Sequence, residues 1–266
     1  MSNLPQQFGL LRSLAIYYGI PWRQGQLRRF YCQFIRPGDL CFDIGAHVGN
    51  QLRAWSALGA RIVAVEPQPQ CMRVLRRWYG RQSQITLIEQ AVGARPGTAT
   101  LYISQRTPTV STLSPDWQAA VRHDPGFRQV RWDNRLETPV TTLDELIARH
   151  GPPAFCKIDV EGYELEVLQG LSQALPALSF EYLAAALAVA RAGIDRLEAL
   201  GRYEYNWSPG ERRRLQSPNW LSAYQMLAAL PAAARQGASG DIYARLQSGQ
   251  GTDHTRHQEN GQPCCR

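Results

Sequence analysis

Phe42-Asp43-Ile44-Gly45-Ala46-His47-Val48-Gly49-Asn50 is the stretch on which the fold turns. A short apolar run, 39–44, holds an acid next to its end, and a loop with two glycines four positions apart follows. From Asn50 to Leu58 the pattern is helical, and Gly59 stops it as a left-handed cap. Strand, glycine loop and helix in that order open a sheet whose strands are covered on both faces. Gly45 permits a tight turn, and Gly49 permits either close helix packing or approach of a ligand. The free N–H groups of the helix start point into the crevice.

The neighbouring segments repeat the unit. Residues 61–66 are a near-continuous apolar strand, as in parallel sheets buried on both sides. Pro67 opens a helix to Tyr79, and residues 85–92 read as a third strand. Three strands alternating with two helices predict a right-handed, doubly wound parallel sheet. Residues 98–103 alternate as a further strand. Thr142 and Glu145 form a capping box that starts a helix to His150, whose position suits the helix dipole. Residues 154–160 and 178–182 are the next buried strands, with a helix to about Leu171 between them. A long helix to Leu200 follows, then strands at 203–207 and 241–246 around a helix at 220–230. This divides the chain into a helical extension, 1–37, a main domain, 38–247, and a disordered tail, 248–266. Residues 104–137 show no period and are expected to face the substrate.

The strand ends carry the chemistry. Glu66 closes the second strand 21 positions after Gly45, where an acid accepts hydrogen bonds from both ribose hydroxyls. His47 breaks the Gly-x-Gly-x-x-Gly spacing of a pyrophosphate loop, and Asp43 would repel a pyrophosphate. An acid there suits a cofactor bearing an ammonium and a sulfonium, S-adenosylmethionine, and makes a dehydrogenase the weakest reading. Gln90 and Ala91 end the third strand, where an adenine edge and face would lie. With Ala46, His47, Gly49, Asn50 and Pro67 these complete the expected cofactor set. In the fourth strand, period two puts Lys157, Asp159 and Glu161 on one side. Three ionisable groups at the ligand end of a buried strand are costly without partners. A carboxylate there can orient a hydroxyl or take its proton, and Glu181 ends the fifth strand in a similar place.

Composition sets the outer limits. The chain has 266 residues, 44% of them apolar, and 29 basic against 22 acidic residues give a net charge of +7. Lys157 is the single lysine; the other 28 basic residues are arginines. A spread charge of this size permits an anionic substrate but is a weak sign of nucleic-acid binding, which needs a clustered patch. Arg212-Arg213-Arg214 reads as a solvated face. The six cysteines form no Cys-x-x-Cys pair, so buried free thiols and a cytoplasmic location are expected. No secretory signal or membrane span is visible. No metal is expected, including at His254, His257, Cys264 and Cys265 in the tail.

The sequence resembles the FkbM-type methyltransferases. The resemblance rests on residues 42–50, Val65-Glu66-Pro67, Ala91-Val92-Gly93, Val140-Thr141-Thr142-Leu143-Asp144 and, most specifically, Lys157-Ile158-Asp159-Val160-Glu161-Gly162. Order and spacing match from about residue 38 to 182. It implies a Rossmann-like class I methyltransferase, an α/β fold with a seven-stranded, mostly parallel sheet and helices on both faces. It also implies S-adenosylmethionine as donor and O-methylation of a hydroxyl on a small molecule, sugar or lipid-like product. The family's serine-bearing segment falls on 107–113, which makes Ser111 and Thr112 expected substrate contacts. His47 stands where the wider class has glycine. Two rival readings are an RNA-binding methyltransferase and a catalytically silent module that binds S-adenosylmethionine.

Overall fold

Two helices precede the first strand, α1 (Leu4–Tyr18) and α2 (Arg23–Tyr31), in a computed structural model that describes residues 4–19 and 22–247. The alternating unit then follows: β1 (Leu40–Ile44), α3 (Asn50–Ala57), β2 (Arg61–Val65), α4 (Pro69–Tyr79) and β3 (Ile85–Ile88). Next come β4 (Ala91–Val92), β5 (Gly97–Ile103), α5 (Pro115–Val121), β6 (Asn134–Thr141) and α6 (Leu143–His150). The chain closes with β7 (Phe155–Ile158), α7 (Glu164–Gln169), β8 (Ala177–Leu183), α8 (Leu187–Glu198), β9 (Tyr203–Pro209), α9 (Ala223–Gln236) and β10 (Ser239–Leu246). The expected disordered tail and its His and Cys residues lie outside the described residues.

The main sheet has seven strands in the order β3-β2-β1-β7-β8-β10-β9, and β10 alone runs antiparallel to its neighbours. The order reverses between β1 and β7, and the crevice outside the strand ends at such a point is where ligands bind. Asp43 of β1 stands in register with Ala64 of β2 on one side and Lys157 of β7 on the other. Their side chains share the sheet face that α2, α3 and α4 cover.

Both faces are sealed by apolar packing. Phe42, Ile44, Cys156 and Ile158 meet α6, α7, α8 and α9 on one face. Cys41 and Phe155 meet Leu27, Tyr31, Trp55 and Leu75 on the other. Leu27, Phe30 and Ile35 from the helical extension are buried in this second core. At about 1.5–3 kcal/mol for each such side chain, the extension is part of the core and not an appendage. Cys41, Cys71 and Cys156 are buried free thiols, as expected. No helix among the described residues is long and apolar enough to cross a membrane.

Two elements differ from expectation. The single strand expected at 85–92 breaks after Ile88. Glu89 turns out to pair with Arg76 of α4 at 2.7 Å, and Ala91–Val92 joins a separate sheet of order β4-β6-β5. That sheet exists because residues 134–141, half of them inside the segment without a period, form β6 and pair with all of β5. Pro139 and the polar residues Asn134, Arg135, Glu137 and Thr138 hide it, since a proline argues against a central strand and so few apolar residues leave no clear period. The long helix expected before Leu200 begins only at Leu187, after a 3-10 turn at Ala184–Ala186.

Candidate active site

The glycine loop is folded tightly against both neighbouring strands. Gly45 (φ +83°) and Ala46 both donate their N–H to the Val65 carbonyl, at 2.9 and 3.0 Å. A Cβ on Gly45 would lie 1.8 Å from the Asp159 carbonyl oxygen, so only glycine fits between β1 and the turn after β7. His47 follows at φ +49°, and its N–H donates to Glu66 Oε2 at 2.8 Å. The other oxygen, Oε1, accepts from the Gln68 N–H at 2.8 Å. Two backbone donors therefore fix the Glu66 carboxyl. Burial pushes its pKa up to about 7, against the pull of those hydrogen bonds.

The crevice above the loop has two lobes that share Tyr17, Gly45, His47, Asp159, Glu181 and Glu211. Glu66, Pro67, Gln90 and Ala91 line the first lobe on the sheet side, and Pro108, Thr109, Ser111 and Leu113 roof it from the insert. Asp43, Ala46, Asn50, Gln51, Lys157, Arg213 and Asp241 line the second. Here three acceptor atoms, Asp43 Oδ2, Asn50 Oδ1 and Gln51 Oε1, are buried with no partner among the described residues. An unmatched buried acceptor costs about 1–3 kcal/mol, so a wall of three fits an incoming donor-rich cation. Burial raises the Asp43 pKa to about 7, with Lys157 pulling the other way. Both ring nitrogens of His47 are buried and unpartnered as well, and burial lowers its pKa to about 4, so the ring is neutral.

The acidic cluster lies where the lobes meet. Lys157 Nζ donates to Asp159 Oδ2 at 2.8 Å and to Asp241 Oδ1 at 3.2 Å. Burial works against the ammonium, but the two aspartates outweigh it and hold the lysine charged. Oxygens of Asp159, Glu161 and Glu181 all lie within 4.8 Å of one another. Burial first, and then the Asp159 charge, pushes the Glu161 carboxyl well above the usual range; burial and Glu161 do the same to Glu181. The strand ends at Ile158, so Glu161 is not a strand position. It stands at φ +56° in a turn, which brings its carboxyl back beside Asp159.

The FkbM methyltransferase domain profile matches residues 43–184, more than half of the chain. The chain belongs to the FkbM methyltransferase family. It is an S-adenosylmethionine-dependent methyltransferase with the class I α/β fold. No curated protein matches it in sequence. Among solved structures it is similar to the O-methyltransferase from Bacillus cereus in complex with SAH, at 11% identity over 93% of this chain and 92% of that one, TM-score 0.44. A TehB-like SAM-dependent methyltransferase from Corynebacterium glutamicum gives 9% over 89% and 94%, TM-score 0.45. A precorrin-6y C5,15-methyltransferase from Geobacter metallireducens gives 16% over 85% and 86%, TM-score 0.41.

In this FkbM methyltransferase the residues fit the donor. Glu66 keeps a lone pair on each oxygen for the ribose hydroxyls, and Gln90 and Ala91 border the same lobe. The orphaned acceptors of Asp43, Asn50 and Gln51 would suit the ammonium of the methionine end, and Arg213 in the same lobe is already ion-paired to Glu211. Gly49 lines neither lobe: at φ +85° it opens α3, and a Cβ there would meet Tyr79 and Leu75. Ser111 lines the first lobe, but its hydroxyl donates to the Pro108 carbonyl at 2.9 Å. Thr112 is fully buried behind the wall, where its hydroxyl donates to the Glu161 carbonyl at 2.6 Å and so holds the Glu161 turn. Lys157 lines the second lobe as the positive partner of Asp159.

Gly49 and Thr112 are thus not the contacts expected of them, and a further expectation is corrected. Arg213 is not part of a solvated face: its side chain is 7% exposed, ion-paired to Glu211 and inside the second lobe, because φ +52° turns it inward. Sequence reasoning also missed Tyr17, which borders both lobes and meets His47 edge-on at 5.9 Å. It missed Glu164, whose Oε1 accepts from the Val160 and Gly162 N–H groups at 3.2 Å each and braces the turn from beneath. Glu164 is an acid three residues after Glu161 in a segment already rich in acids, a signal that was present in the sequence. For Tyr17 and Arg213 no local signal exists, since each is brought in from a distant segment.

Proposed function

We propose that this FkbM methyltransferase methylates a hydroxyl oxygen of a small-molecule or glycan acceptor. The observation that carries the reading is Glu161, a first-lobe carboxyl beside Asp159 and Glu181, which border both lobes, with no hydrogen-bond partner among the described residues. A neutral hydroxyl is a weak nucleophile and must lose its proton as the new bond forms. In its ionised form a carboxylate of raised pKa is the stronger proton acceptor of its kind, so the reacting state is the one in which Glu161 has given up its own proton. S-adenosylmethionine supplies an electrophilic methyl group on a sulfonium. Glu161 takes the hydroxyl proton. Asp159, fixed by Lys157, orients the acceptor, and Glu181 shares the proton within the cluster. Tyr17 and the insert residues Thr109 and Leu113 border the same space and exclude water.

The test is a single-turnover screen over hydroxylated metabolites and glycans, with amines, carbon acids and a single-stranded RNA alongside. Methyl ether formation supports the reading. Transfer only to nitrogen, carbon or RNA overturns it. Saturable cofactor binding with no product from any acceptor overturns it in favour of a silent binding module.

A further inference from the structure

A second cavity of about 950 Å³ lies outside the crevice, between α1 and the insert. That is within the roughly 300–1,000 Å³ typical of small-molecule sites. Phe8, Val110, Phe127 and Val130 give it apolar walls, and Arg12, Arg106 and Arg128 give it charge. No carboxylate lines it, and none of the three guanidinium groups has an ion-pair partner among the described residues. Two acids lie next to its lining without entering it: Asp124 accepts from the Gly126 N–H at 2.7 Å, and Asp133 from the Gln105 N–H at 3.1 Å. The groove owes its shape to Gly9. A Cβ there would lie 2.3 Å from the Gln105 carbonyl oxygen and 2.8 Å from Pro108, so α1 lies directly on the insert, with Phe8 and Arg12 to either side.

One turn of chain joins the groove to the active site. In the 3-10 turn Pro108–Val110, Pro108 and Thr109 face the crevice, while Val110 and the preceding Thr107 face the groove. Resting on the hydroxyl-acceptor reading, we propose that the groove binds an anionic group, a phosphate ester, on the apolar body of the acceptor. Guanidinium forks match phosphate geometry with paired hydrogen bonds, and apolar walls favour a hydrocarbon or ring system over an inorganic ion. The acceptor is then an amphiphile whose hydroxyl reaches the carboxylate cluster while its phosphate is held across the Pro108 turn. Three arginines without an ion pair thus lie beside a crevice of acids, and the two signs of charge line separate cavities.

The experiment is calorimetric titration of the full chain, saturated with S-adenosylhomocysteine, with dodecyl phosphate below its micelle concentration. Dodecyl maltoside, inorganic phosphate and decauridylate are the comparison probes. One dodecyl phosphate per chain is expected, bound at least tenfold more tightly than the maltoside or free phosphate. The double variant Arg106→Gln with Arg128→Gln should weaken it at least tenfold, and Arg12→Gln alone less. Unchanged S-adenosylhomocysteine affinity shows that each variant is folded. Equal binding of the maltoside, or undiminished binding by the folded double variant, overturns the proposal. Tighter, arginine-dependent binding of decauridylate assigns the groove to nucleic acid and overturns it too. Failure of the hydroxyl reading would be seen separately, in the chemistry of the methylated product.

Discussion

The half of the crevice that the proposal gives to the donor and the half it gives to the acceptor are built in opposite ways. Glu66 is fixed by the N–H groups of His47 and Gln68, a loop next door and a residue two positions on. Glu161 owes its place to Thr112 of the insert and stands with Asp159, Glu181, Glu211 and Tyr17, which come from four stretches of chain. The donor half is held by backbone hydrogen bonds with matched geometry. The acceptor half gathers side-chain charge: Asp159, Glu161 and Glu181 against one lysine, Lys157. A half made of short-range backbone contacts can be kept constant, while a half gathered from loops and an insert can be changed without disturbing it.

That contrast can be broken most sharply at Glu161. Glu161→Gln should lower single-turnover methyl transfer by about 10²–10⁴-fold, the scale of a positioned acid or base, and leave cofactor affinity nearly unchanged. Asp159→Asn should lower turnover by about 10²-fold or more, again with little change in cofactor binding. Near-native turnover in both folded variants would make the cluster structural and leave alignment alone to carry the reaction.

Next in size is Lys157→Met. It strips the positive partner from Asp159 and Asp241 and leaves buried charge uncompensated. Breaking a buried pair costs about 3–5 kcal/mol, and the half-open Asp159 side chain argues for the lower end. Urea denaturation of the apoprotein measures it. A loss under about 1 kcal/mol would mean that water already screens the pair.

The donor half should respond differently. Glu66→Ala should weaken cofactor binding by about 1–3 kcal/mol, since ribose hydroxyls and two backbone N–H groups lose their acceptor. Calorimetry that finds unchanged affinity would move the ribose elsewhere.

The smallest effect is one of pH. Burial raises Asp43 from its ordinary 3.8 to about 7. Between those values the folded apoprotein holds a proton that the unfolded chain has lost, so its stability falls as pH rises through the window. A cofactor ammonium favours the ionised form. Affinity should therefore rise about tenfold from pH 6 to 8, with proton release on binding. Titrations in two buffers of different ionisation enthalpy check this, and a flat profile would separate Asp43 from the methionine end.

Much of the donor half was legible because its signals are local. Gly45, Glu66, Gln90 and the parallel strands rest on spacing and apolar runs, and the structure places those residues around one lobe. The charged triplet Lys157, Asp159, Glu161 was legible as a group, but strand periodicity assigned its geometry. The turn at Glu161 follows from a positive φ and from Thr112, which no alternation of residues encodes. Strand β6, central in its small sheet, was hidden by Pro139 and by its polar composition.

The sequence by itself therefore determined the doubly wound sheet, the glycine loop, the acid that closes β2 and the concentration of charge after β7. Each depends on side chains within a few positions of one another, where hydrophobic period and backbone sterics act directly. Only the tertiary structure decided that Tyr17 closes the crevice, that Arg213 turns inward, that Lys157 joins Asp159 to Asp241 from 84 positions away, and that Gly9 seats α1 on the insert. Those contacts bring together segments with no common pattern. Desolvated charge and close packing select them once the sheet has set the distances, and neither acts until the chain has folded.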